Sequence, residues 1–121
     1  MEEYATINIV TNGGYTHLNL KFNRVFIDNK AKSGKLVNTY KSYVSENNKI
    51  KITIDCSLLR GVNRRIAFGF VRKVRDFEKQ NANRILHKRV IVTNAVIRAV
   101  VKFFSVFLPP VVPTKIVSGV N

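Results

Sequence analysis

The sequence predicts an α+β fold: an N-terminal antiparallel sheet of four or five strands packed on two C-terminal helices, with an extended tail. Three observations carry this. Apolar residues alternate through the front half of the chain, as on strands with one wet face. Behind residue 63 they recur at helical spacing. Pro109-Pro110 then closes the last long apolar run, because neither ring continues a helix. Residues 1–108 read as one basic domain and 109–121 as a Pro- and Val-rich tail.

The first strand spans 4–10, where Ala5, Ile7 and Ile9 alternate with Tyr4, Thr6 and Asn8. Asn12-Gly13-Gly14 supplies a hairpin turn of type I′ chemistry. The returning strand, 15–27, places Leu18, Leu20 and Phe22 on one face and His17, Asn19 and Lys21 on the other; a slip of the pattern predicts a bulge near Asn23–Arg24. Asp28 to Lys35 is polar and reads as a loop. In 36–45, Leu36, Val37, Tyr40, Tyr43 and Val44 fit a helical face by spacing, while the Thr, Tyr and Val content favours the strand adopted here. Residues 49–58 alternate throughout, with Ile50, Ile52, Ile54, Cys56 and Leu58 inward.

Asn63 is an N-cap for a helix over 64–79, with Ile66, Ala67, Phe70, Val71, Val74 and Phe77 on its stripe. A fifth strand over 64–71 is the alternative. Gln80 to Asn83 reads as a turn. From Ile85 to Leu108 a second helix is expected, its narrow polar stripe formed by Asn94, Arg98, Lys102 and Ser105. Fourteen of the nineteen residues in 90–108 are apolar, enough for a membrane span by length. Arg98 and Lys102 argue against a span, at roughly 2.5–3.5 kcal/mol each. A buried helix or an interface between copies is the preferred reading, and a homo-oligomer is expected.

With 21 Lys+Arg against 7 Asp+Glu, the net charge is +14. Such an excess repels itself in the compact state, so it points to an anionic partner. Ten of the cations fall in 60–89, against Asp76 and Glu78. Arg60, Arg64, Arg65, Arg72, Lys73, Arg75, Lys79, Arg84, Lys88 and Arg89, with Lys49 and Lys51, are the candidate nucleic-acid contacts. Arginine's planar fork suits phosphate, and neutralising phosphates releases counterions. Asp76 is expected to pair with Arg72 one helical turn away.

The expected function is therefore non-enzymatic binding of RNA or DNA, RNA slightly favoured, in a packaging, coat, nucleocapsid or ribonucleoprotein role. The outward sheet face (Thr6, Asn8, His17, Asn19, Lys21, Lys49, Lys51 and Thr53) is a second candidate surface, with Tyr4, Tyr15, Tyr40 and Tyr43 available for base stacking. At the level of fold, this architecture is similar to the coat proteins of small RNA phages and to RNA-recognition domains, although it carries no aromatic-rich RNA-binding box. Two alternatives stand beside it. One is a basic protein associated with membranes through 85–108. The other is an adaptor or inhibitor that binds an acidic protein.

Catalytic patterns are absent from the sequence. His17 and His87 lie seventy residues apart, and neither is near a nucleophile in sequence. Cys56 sits among aliphatic residues as a small hydrophobe. One Cys and two distant His make no metal set, and no phosphate-binding or dinucleotide motif occurs, so no cofactor is expected. The single Cys and an acidic N-terminus without a signal-peptide pattern predict a cytoplasmic or other reducing compartment, or a virion.

Overall fold

Two glycines make the first turn. The computed structural model describes residues 5–23 and 30–118. In it, β1 (Ala5–Asn12) and β2 (Tyr15–Phe22) form an antiparallel hairpin whose last pair is Asn12↔Tyr15. The loop is Gly13-Gly14, and Gly13 alone has positive φ, 66°. Positive φ at only the first central residue is the type II′ pattern, not the type I′ expected for Asn-Gly. The proposed bulge involves Arg24, which lies outside the described residues.

Beyond the hairpin, helices alternate with strands. The order is α1 (Lys30–Ser45), β3 (Ile50–Asp55), α2 (Arg64–Gln80), a 3₁₀ turn (Ala82–Arg84), β4 (Ile85–Ile91), α3 (Ala95–Phe107) and β5 (Thr114–Val117). The five strands lie side by side in sequence order. The α+β class holds, but its internal arrangement differs from the antiparallel sheet and two C-terminal helices expected. Only β1 and β2 are antiparallel; β2, β3, β4 and β5 are parallel neighbours, and there are three helices among the described residues. Adjacent parallel strands need a crossover, and each helix supplies one.

Two expectations change for that reason, those for 36–45 and 85–108, while the helix expected over 64–79 stands. Residues 36–45 belong to α1, because a helix buries Leu36, Val37, Tyr40 and Val44 together on one side. The segment 64–71 is helical, and Asn63 caps it: its side chain accepts from the Ile66 N–H at 3.1 Å. The apolar run 85–108 is two elements. Ile85–Ile91 is an interior parallel strand and Ala95–Phe107 a helix, separated by Asn94, whose side chain accepts from the N–H groups of Val96 and Ile97 at 2.8 and 3.2 Å. Within the tail, Thr114–Val117 pairs with β4 of the same chain. No helix of the described residues is long and apolar enough to cross a membrane.

The core lies between the helices and one face of the sheet. Leu18, Leu20, Ile50 and Ile52 pack there with Leu36 and Tyr40 of α1, Phe70 and Val74 of α2, and Ile97 and Phe104 of α3. Phe22 meets Phe70 and Phe68 meets Phe104, with ring centroids 5.8 and 5.4 Å apart. The opposite sheet face is open. By register it carries His17, Lys51 and His87 in one row, and Asn19, Thr53, Arg89 and Lys115 in the next.

Candidate functional site

The chemistry of this chain is concentrated in two places, a basic outer face of α2 and a buried charged cluster beneath it. Burial of Ala67, Phe70, Val74 and Glu78 fixes the rotation of α2. Residues on the far side then face solvent: Arg64, Arg65, Arg72, Lys73, Asp76 and Lys79 are all exposed, and Arg60 is exposed just ahead of the helix. Arg65, Arg72 and Lys79 stand seven residues apart, close to two helical turns, so they form a row with cations roughly 10 Å apart. Arg72 and Asp76 do not form the expected ion pair, and Asp76 is the one acid on this exposed face. The first turn of α2 contains no acidic residue. Its unpaired N–H groups and Arg60, Arg64 and Arg65 thus add their positive fields at one end, an unfavourable arrangement in the free chain.

The other candidate cations go elsewhere. Lys49 is exposed next to β3. Lys51 lies on the open sheet face with its Nζ 3.9 Å from the centre of the Tyr15 ring. Arg89 is on the same face. Arg75 donates from Nε to the Pro109 carbonyl at 2.7 Å, tying α2 to the segment after α3. Arg84 donates to the Asn47 carbonyl and the Asn48 side chain at 3.0 and 3.2 Å, holding the turn before β3. Lys88 faces the helices. The 60–89 cations therefore divide between a helix face, the opposite sheet face and the interior.

Lys88, its side chain 13% exposed, forms a triad with the buried Glu78 and Tyr40. Its Nζ donates to the two carboxylate oxygens of Glu78 at 3.0 and 2.9 Å. Tyr40 donates its hydroxyl to the same carboxylate at 2.5 Å. Burial, then the negative Glu78 charge and the hydrogen bond to it, push the Tyr40 pKa well above its ordinary 10.0. The tyrosine is thus a fixed donor. Glu78 was missed in sequence because it sat beside Asp76 in a charged run, yet it extends the inward spacing of Ala67, Phe70 and Val74 by one more turn.

Burial, reinforced by Asp55 and opposed by Lys88, pushes the Cys56 thiol up to about 12, so it is a thiol and not a thiolate. His17 shares a hydrogen bond of 2.9 Å with the Thr53 hydroxyl. Its neighbours are positive: burial first, then His87, Lys51 and Arg89, lower its pKa below 6.5. No group of three or more His, Cys, Asp or Glu among the described residues is placed to hold a metal. The tyrosines do not form a stacking platform: Tyr40 is buried, Tyr43 packs against the core, Tyr15 sits under Lys51, and Tyr4 lies outside the described residues.

No protein family and no curated protein matches the sequence. Among solved structures, the chain is similar to an uncharacterized DUF3478-family protein with a SpoIIAA-like fold from Shewanella loihica PV-4. The TM-score is 0.63 at 13% identity, over 96% of this chain and 87% of that one. This likeness shows the fold. It also corrects the reading of the chain as a nucleic-acid-binding structural protein. The antiparallel platform of coat-protein or RNA-recognition type gives way to a SpoIIAA-like sheet, and the cations assigned to one phosphate-binding surface are dispersed over the molecule.

Proposed function

We propose that the chain is a non-enzymatic adaptor or regulatory module that docks an acidic protein segment on the outer face of α2. The observation that carries the reading is the exposed row Arg65, Arg72 and Lys79, flanked by Arg60, Arg64 and Lys73 and answered by Asp76 alone. An acidic helix or strand laid along α2 relieves the repulsion at its N-terminal end and meets cations at a regular interval. A reducing compartment fits this reading, since the single cysteine is a free thiol.

The test is fluorescence anisotropy with a labelled peptide bearing a Glu-rich helical face, against an oligonucleotide of equal charge. Arg65→Glu/Arg72→Glu/Lys79→Glu is expected to weaken peptide binding by about tenfold or more, while Lys51→Glu/Lys115→Glu changes it little. Equal loss from both variants, or tighter binding of the oligonucleotide, would overturn the reading.

A second reading rests on α3. Val96, Phe103, Val106 and Phe107 are 57–74% exposed on its outer side, with Lys102 exposed beside them. Apolar anchors beside cations on a strongly basic protein suit peripheral contact with anionic lipid. Flotation with phosphatidylserine vesicles that is lost in Phe103→Ser/Phe107→Ser supports this. A dimer in sedimentation that the same variant dissociates assigns the face to a second copy instead.

A further inference from the structure

We propose that the space between α2, α3 and the sheet binds one small uncharged molecule with an apolar body and a single carbonyl or hydroxyl oxygen. This goes beyond the docking reading and does not depend on it. The cavity has a volume of about 170 Å³. Phe70 and Val74 of α2, Val100 and Phe104 of α3, and Val90 and Ile116 of the sheet make its walls largely hydrocarbon. Arg75, bonded to the Pro109 carbonyl, and the exposed Pro110 stand at its rim.

One polar feature decides the ligand. Glu78, Lys88 and Tyr40 all line this cavity. An ammonium group carries three protons. Two of those on Lys88 are directed to the oxygens of Glu78, and the third has no acceptor among the described residues. A donor without a partner beside apolar walls favours a ligand oxygen. The charge of Lys88 is already balanced by Glu78, and Tyr40 also donates inward to that carboxylate. An anionic head would therefore bring an unbalanced charge into an apolar space, whereas a neutral carbonyl or hydroxyl oxygen takes the free proton at no such cost. Volume limits the body: a dry cavity of about 150 Å³ holds benzene, so one ring or a chain of similar bulk fits here.

The experiment is a titration of the full chain, followed by amide chemical shifts, with acetophenone, with ethylbenzene (the same bulk without the oxygen) and with benzoate. Acetophenone is expected to bind at least about tenfold more tightly than either, shifting amides of α2, α3 and β4 around the cavity. Glu78→Gln/Lys88→Met removes both charges together and is expected to abolish the preference for the ketone while ethylbenzene still binds. Val101→Phe fills the space and is expected to exclude both. The proposal is overturned by benzoate binding best, by no shifts at saturating acetophenone, or by a ketone preference that survives in the double variant.

Discussion

A carboxylate buried to 3% exposure survives only if its charge is met, and Glu78 meets an ammonium and a hydroxyl at once. Removing one partner leaves the other charge stranded. Lys88→Met alone is expected to cost about 3–5 kcal/mol in urea denaturation, and Glu78→Gln/Lys88→Met to recover most of that loss. A double variant as unstable as the single one would show that the pair is not coupled. His17 gives a second test at this scale. Its pKa is lowered in the fold, so the unfolded chain takes up the proton first as pH falls. The contribution of His17 to stability is therefore complete above 6.5 and is lost as pH drops below that value. His17→Gln is expected to flatten the decline in urea midpoint across this window. The inward face of β3 and the buried Cys56 were legible in sequence because strict alternation admits one register. Lys88 was not, since a cation in a basic run reads as solvated until a neighbouring element brings a carboxylate to it.

At the scale of elements, legibility followed how regular each element's apolar pattern is. The hairpin and α2 each have one wet face, so their periods of two and 3.6 stand out. The strand β4 also has an open face, but its inward Lys88 interrupts the apolar alternation, its register against β3 shifts at Ile50/Lys51, and it merges in sequence with the apolar α3 behind it. Its separation from α3 rests on Asn94, a cap hidden in what looked like a polar stripe. Two other members of that stripe serve locally, Arg98 donating to the Val92 carbonyl at 3.0 Å and Ser105 to the Val101 carbonyl at 3.0 Å, while Lys102 is exposed. In α1, packing of Leu36, Val37, Tyr40 and Val44 outweighs the strand propensity of its Thr, Tyr and Val residues. The caps are testable. Asn63→Ala is expected to cost about 1 kcal/mol by thermal or urea unfolding, and Asn63→Asp to cost nothing, because it keeps the acceptor and adds a negative charge at the helix start. Equal losses in the two variants would remove the cap from the account.

At the scale of the molecule, three helices over one sheet face leave the chain with two unlike surfaces, a helical side rich in arginine and an open sheet with a histidine–lysine–histidine row. Composition reported the excess charge correctly but not its distribution. A run of ten cations in sequence becomes three separate environments once α2 is wrapped to bury every third or fourth residue and β4 alternates. That division is why a single phosphate-binding surface was a natural expectation and is not what the fold builds. The central claim concerns which surface does the work, and amide chemical-shift mapping with the Glu-rich peptide addresses it directly. The account predicts shifts along the outer face of α2, strongest around Arg64, Arg65 and Arg72, with the open strands undisturbed. Shifts centred on His17, Lys51, His87 and Lys115, or none at all, would contradict it.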